Sequence, residues 1–517
     1  MREGVIKICV FLCAFFPCFN GPGTLCRALE FHEAAAAAGD SVKVSQKETE
    51  EERFADCLAH YTMGLIYDNQ RDTHKAIAEY KKALRCNGWN SYVRLRLGID
   101  YLGTGKTRQA IRQFERVKKL DPDNAAPYLI LAVVYMSEKK HDMARKEYES
   151  VIKKDPGNAK ALFSLADLMV MQRKYKEAVG VYEKIIASEP DSPLGHFNLG
   201  VVYTRLNRVD DAIAQIRKVT ELEPRYLEAY ITLGLLYEIK GDTENSEQAY
   251  LSALKIDALN AAVYNRLAQL YYGAGQTEKA VSIYRKLVHL YPGELENYIL
   301  LYMAYMKEGQ SGPAIDVLRK AENRGFQGVK LNRMLGYAYM ISGDNDEAAA
   351  YLGKVLAVNP EDAWSYFYLG VIYDRKGDRA NAAGAFRKAI GYDGTMHEAY
   401  NYLAYMYAEE GANLDDAEDL AVKALKMDPG NAAYLDSLGW IYYKKGDMEG
   451  AVRELEQSVA REGEDPVIRD HMGDVYHALG MDDTARVQWE KSLELKPGQD
   501  EIRNKINALS DVLEKAE

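Results

Sequence analysis

The sequence predicts an all-α solenoid of stacked helical hairpins, and three residue columns at one spacing predict it. Small residues recur at Gly64, Gly98, Ala132, Ala166, Gly200, Gly234 and Ala268, and, after Tyr302, at Gly336, Gly370, Ala404, Gly439 and Gly473. The step is 34 residues throughout, apart from one of 35 between Ala404 and Gly439. A tyrosine follows three residues later, from Tyr67 to Tyr476, with Met169 as the exception. About twelve residues after each small site comes another, from Ala76 to Ala485, Ser246 among them. Each unit holds two stretches with helical apolar periodicity. A hairpin of this size cannot bury its own apolar face, so neighbours must stack to make a core.

The ends of the chain follow a different pattern. Arg2 and Lys7 give a basic start to an apolar run from Ile8 to Phe19, and Pro17, Gly21, Pro22 and Gly23 break it. Residues 1–28 therefore read as a secretory signal, with retention as an N-terminal anchor the alternative. The run is too short to span a bilayer as a settled helix. Cleavage after Ala28 or after Gly23 satisfies the small-residue rule. Cys26 is a candidate lipidation site, although Leu25 before it is larger than such signals use. Residues 29–56 read as a polar linker, 57–499 as the solenoid, and 500–517 as a capping helix. In that last stretch Ile502, Ile506, Leu509 and Leu513 fall at helical spacing.

Composition narrows the function. With 47% hydrophobic and 28% charged residues the chain is globular. A net charge of −11 repels phosphate backbones and argues against nucleic acid. Four of the six cysteines lie in the leader. Cys57 and Cys86 remain, at the first and last ends of one antiparallel hairpin, where an oxidising compartment would permit a disulfide. No cysteine–histidine spacing suggests a metal. GTGKT at 103–107 has Asp100 where a phosphate loop needs glycine, and it falls in an inter-helix turn. Asp470, Asp474 and His477 share one helix face, where solvated polar side chains are the plainer reading than a metal site. No nucleophile–base arrangement is legible, so the expectation is a binding protein with no catalytic residue and no cofactor.

The columns, with prolines closing many units (Pro122, Pro156, Pro190, Pro224, Pro292, Pro360, Pro429 and Pro497), resemble the tetratricopeptide repeat. The resemblance covers roughly 57–499, about thirteen units. It implies a right-handed superhelix whose concave groove is lined by the fifth and ninth residues of each first helix. In repeats 1–6 those include Tyr61, Leu65, Leu95, Ile99, Leu129, Val133, Phe163, Phe197, Val201, Ile231 and Leu235, and only Asp167 departs from the apolar pattern. In repeats 7–13 the set is mixed, with Arg333, Tyr337, Tyr405 and Trp440 as its candidate contacts. The lysines and asparagines of the chaperone-tail clamp are missing, and so is the asparagine ladder of sugar-transferase arrays. An apolar groove favours a hydrophobic protein or peptide segment, while burial of these residues between neighbouring helices is the competing reading.

The runs at 401–425, 434–443 and 470–493, with one inserted residue near Asn413, are similar to bacterial envelope tetratricopeptide proteins. Some of those are outer-membrane lipoproteins serving as adaptors for periplasmic carboxyl-terminal processing proteases. The resemblance implies an exported scaffold in the periplasm or at the outer membrane, a periplasmic protease as a candidate partner, and membrane attachment through the N-terminus. A structural subunit of an envelope, secretion or polysaccharide-export assembly is the alternative.

Overall fold

A computed structural model describes residues 50–86 and 90–516. The signal at 1–28 and the lipidation candidate Cys26 lie outside the described residues, as does the linker before Glu50. Among the described residues there are 27 helices and no strand. They fall into two compact units, ending at Ala258 and beginning at Leu259.

The first unit holds α1 (Glu50–Asn69), α2 (Thr73–Cys86), α3 (Ser91–Gly103), α4 (Thr107–Leu120), α5 (Ala125–Ser137), α6 (His141–Lys154), α7 (Ala159–Met171), α8 (Tyr175–Ser188), α9 (Pro193–Arg205), α10 (Val209–Leu222), α11 (Leu227–Lys240) and α12 (Thr243–Ile256). The second holds α13 (Ala261–Gly273), α14 (Thr277–Leu290), α15 (Leu295–Lys307), α16 (Ser311–Asn323), α17 (Val329–Ser342), α18 (Asn345–Val358), α19 (Ala363–Arg375), α20 (Arg379–Tyr392), α21 (His397–Glu410), α22 (Leu414–Met427), α23 (Ala432–Lys445), α24 (Met448–Arg461), α25 (Pro466–Ala478), α26 (Asp482–Leu495) and α27 (Asp500–Ala516). Within each unit an odd helix pairs with the even helix after it, and that even helix packs on the next odd one. Helix α1 starts at Glu50, inside the stretch read as linker. Among the described residues no helix is long and apolar enough to cross a membrane.

The small-residue column works by removing a Cβ. At Gly64 a Cβ would lie 2.3 Å from the Tyr80 ring, at Gly98 2.5 Å from Phe114, and at Gly234 2.3 Å from Tyr250. In the second unit Gly370 meets Phe386 at 2.6 Å and Gly473 meets Trp489 at 2.4 Å in the same way. Each glycine is therefore the socket for a large side chain sixteen residues further on, an additional column that the sequence reading passed over. The second small column is closed: Ala110, Ala212, Ala314 and Ala451 are fully buried. Ser246, which takes this place once, donates to the Gly234 carbonyl at 2.9 Å and so stays satisfied.

Caps and turns fix the helix ends. Asn90, Asn124, Asn158 and Ser192 are N-caps whose side-chain oxygens accept backbone N–H bonds from the first turns of α3, α5, α7 and α9. The turn between paired helices needs a left-handed residue. Gly105 (φ 75°) and Gly241 (φ 79°) supply it freely, while Lys139 (φ 59°), Arg173 (φ 58°) and Asn207 (φ 58°) hold the same conformation with a side chain. GTGKT spans this turn between α3 and α4. Cys57 on α1 is disulfide-bonded; Cys86, the candidate partner, ends α2 with its side chain outside the described ones.

Adding one methyl at a socket tests this register. Gly234→Ala is expected to destabilise the first unit by about 1–3 kcal/mol, because the Tyr250 ring must move. Urea unfolding followed by circular dichroism reads it, and an unchanged midpoint would contradict the packing.

Candidate functional site

In the first unit the odd helices present an apolar stripe broken once, at Asp167. Tyr61, Leu65, Leu95, Ile99, Leu129, Val133, Phe163, Phe197, Val201, Ile231 and Leu235 are all half-buried. Tyr61, Leu65, Leu95, Ile99, Leu129, Phe163 and Phe197 rest one flank on the core. The core neighbours hold the rings in place: Phe163 meets Tyr182 edge-on at 6.4 Å, Phe197 stacks on Tyr226 at 5.3 Å, and Tyr61 lies 6.0 Å from Tyr80. The exception to the apolar pattern, Asp167, is exposed and accepts a hydrogen bond from the Tyr182 hydroxyl at 3.1 Å.

One carboxylate beside the stripe is out of place electrostatically. Asp100, next to Ile99, is 8% exposed, and its Oδ2 has no hydrogen-bond partner. Burial first, and then the neighbouring Asp68 carboxylate, push its pKa up to about 8. Asp68 itself accepts from the Tyr80 hydroxyl at 2.6 Å.

The second unit buries some of the corresponding positions, among them Ile299, Phe367 and Trp440. Trp440, expected at the groove surface, is 6% exposed. Its indole N–H donates to Glu409 at 2.7 Å, and its ring stacks 4.1 Å from His471. The cause is direct packing of α21 on α23 and of α23 on α25, so that each odd helix covers the face of the one before it. Asn401 on α21 is buried for the same reason, and Phe367 and Val371 are buried as well. Arg333 is half-buried and bonded to Asp362 at 2.7 Å; Tyr337 packs on Tyr368 at 5.1 Å. Tyr405 is half-buried, 6.0 Å from His471. Trp440 is therefore committed to internal contacts, whereas Arg333, Tyr337 and Tyr405 keep part of their surface open, as the residues of the first-unit stripe do.

A polar core replaces the groove here. His471 Nδ1 bonds both Asp436 oxygens, at 2.9 and 3.0 Å, with both residues buried. Burial works against a charged imidazole, but Asp436 outweighs it and the His471 pKa rises. Asp470 and Asp474 both accept from Lys505 of α27, at 2.9 and 2.7 Å, while His477 turns to Asp482 at 2.7 Å. The three residues that share a helix face in sequence are thus divided between two partners.

Tetratricopeptide-repeat family profiles match residues 59–87, 95–159, 135–194, 169–234, 227–258, 266–293, 333–399 and 402–466. Together they cover more than half of the chain. The chain belongs to the tetratricopeptide-repeat family. No curated protein matches the sequence. Among solved structures the chain is similar to one titled APC/C hetero-tetramer Cut9–Hcn1, at 16% identity and a TM-score of 0.39, over 81% of this chain and 89% of that one. It is also similar to Naa15/Naa10 bound to HypK-THB, at 16% identity and a TM-score of 0.41, over 85% of this chain and 68% of that one. A shorter match is YrrB, described as a tetratricopeptide protein with an unusual peptide-binding site, at 18% identity and a TM-score of 0.31, over 36% of this chain and 94% of that one. The tetratricopeptide fold is an interaction scaffold that takes protein or peptide partners.

Asp100 gives this face a pH signature. An acid whose pKa rises from 3.8 to about 8 on folding favours the fold fully below about pH 4 and progressively less as pH climbs towards 8. Asp100→Asn is expected to remove much of that loss. The measurement is the urea midpoint at pH 5 and pH 8, and an equal pH dependence in both proteins would contradict the assignment.

Proposed function

We propose that this chain is an exported, non-catalytic scaffold of a bacterial cell envelope, and that the odd-helix stripe of its first unit takes an apolar segment of a partner protein. The observation that carries the reading is the half-burial of eleven apolar side chains at equivalent positions of the odd helices, with Asp167 the one departure. Apolar surface of that extent on a soluble array is completed by a partner. The basic start and apolar run of residues 1–28 support export, to the periplasm or the outer membrane. The likeness of 401–493 to envelope adaptors favours a periplasmic carboxyl-terminal processing protease as the partner.

Two experiments test this. Fractionation with N-terminal sequencing is expected to find a shortened chain outside the cytoplasm; a full-length cytosolic chain would remove the envelope part. Phe163 and Phe197 sit one repeat apart on the stripe, so one partner segment reaches both. Phe163→Ala with Phe197→Ala is expected to weaken partner capture by about 2 kcal/mol or more, with effects that need not add. Thermal melting beside an envelope pull-down separates binding from folding. A melt lowered by about 3–5 kcal/mol per ring would instead mark both rings as core.

A further inference from the structure

We propose that the niche between α14, α15 and α16 is a second docking site, one that takes an acidic segment of a partner protein. It is a cavity of about 530 Å³, walled by two facing helices and floored by a third. Arg285 and His289 stand one turn apart on α14, and Lys320 and Arg324 stand one turn apart across it, at the end of α16. All four are exposed. No carboxylate lines the cavity. Asp316, one turn before Lys320, does not reach it. The floor is apolar, built on Tyr298 and Leu301 of α15.

An internal control makes this charge pattern informative. The same niche four repeats earlier, between α6, α7 and α8, is a cavity of about 450 Å³ and has acids where the later one has none. Glu149 occupies the place of Arg285, and Glu177 that of Pro313. There Arg145 bonds Glu149 at 2.7 Å and Glu177 at 2.8 Å, so the two acids offset much of the charge of Arg145, Lys153 and Lys184. In the later niche both acids are gone and the cations face one another. Repulsion of this kind is relieved by an anion from outside.

Two further features prepare the site. The Arg285 Nε donates to the Tyr305 hydroxyl at 2.6 Å, which fixes the guanidinium at the rim and leaves its outer N–H groups free to fork onto a carboxylate. Helix α16 ends at Asn323, one residue shorter than its neighbour α14, with Arg324 as its C-cap. The last-turn carbonyls stabilise Lys320 and Arg324 where they stand. Cations on both walls of one cavity favour a polypeptide carrying several carboxylates over a single inorganic anion, because one chain can reach both walls.

The test is fluorescence anisotropy on the full chain, with a labelled peptide of glutamates and leucines as the probe and its lysine counterpart as the control. The acidic peptide is expected to bind, and to bind more weakly as salt rises. Arg285→Glu with Lys320→Glu is expected to weaken it about tenfold or more. Lys255→Glu on α12 should not. The reversed residues are exposed, so an unchanged melt shows that the loss is not unfolding. Phe163→Ala with Phe197→Ala should leave the acidic peptide bound, which separates this site from the apolar stripe. Equal binding of the lysine peptide, no effect of the double reversal, loss of binding in the phenylalanine pair, or complete displacement by an equal concentration of inorganic phosphate would each overturn the proposal.

Discussion

The close approach of paired helices at one residue is the constraint on which the rest depends. A glycine such as Gly370 brings the backbone of α19 against the Phe386 ring, and no other residue leaves room. The ring then fills the space that would otherwise separate the helices, and Ala382, one turn earlier on the same helix, is fully buried beside it. With that geometry set, the remaining side chains have fixed places. The tyrosine of each unit reaches the even helix of the unit before it: Tyr203 bonds Glu183 at 3.3 Å, and Tyr476 bonds Glu456 at 3.2 Å. Stability in such an array is therefore a sum of hairpin and neighbour contributions.

The fold was legible because its determinants repeat. A Gly or Ala in one place is weak evidence, but the same choice at a constant step identifies both helices and their contact. The apolar stripe of the first unit was legible for the same reason, since Phe163 and Phe197 occupy equivalent positions. The fate of Trp440 was not. Whether an aromatic at the ninth position faces solvent depends on how closely the next odd helix follows, and the repeat pattern is the same in either case. The ring column opposite the glycines was open to discovery, since Tyr80, Phe114, Tyr148 and Tyr182 are separated by equal steps. Its members change chemistry along the chain, however, from tyrosine to isoleucine at 216 and tryptophan at 489, and a search for identity passes over them.

Both units bury polar residues on their odd helices. In the first unit Asp100 and His196 are buried, while Asp167 stays at the surface. In the second, Asp436, His471 and Asn401 are buried. A buried ion pair such as His471–Asp436 adds little net stability over an apolar pair, but losing one partner strands the other. Polar groups at these positions fix which neighbour packs there, because a shifted register would leave a charge unmatched. Lys505 does the same for the final repeat by matching Asp470 and Asp474 from the terminal helix.

The single extra residue near Asn413 is taken up wholly within the turn between α21 and α22, where Gly411 (φ 63°) and Asn413 (φ 53°) both adopt left-handed backbone. Ala417, the next member of its column, is still fully buried. A change in length at this joint thus leaves the facing of every later helix untouched. The turns act as expansion gaps: during descent from a duplicated ancestor, units can gain or lose a residue there without rewriting the surfaces that the array presents.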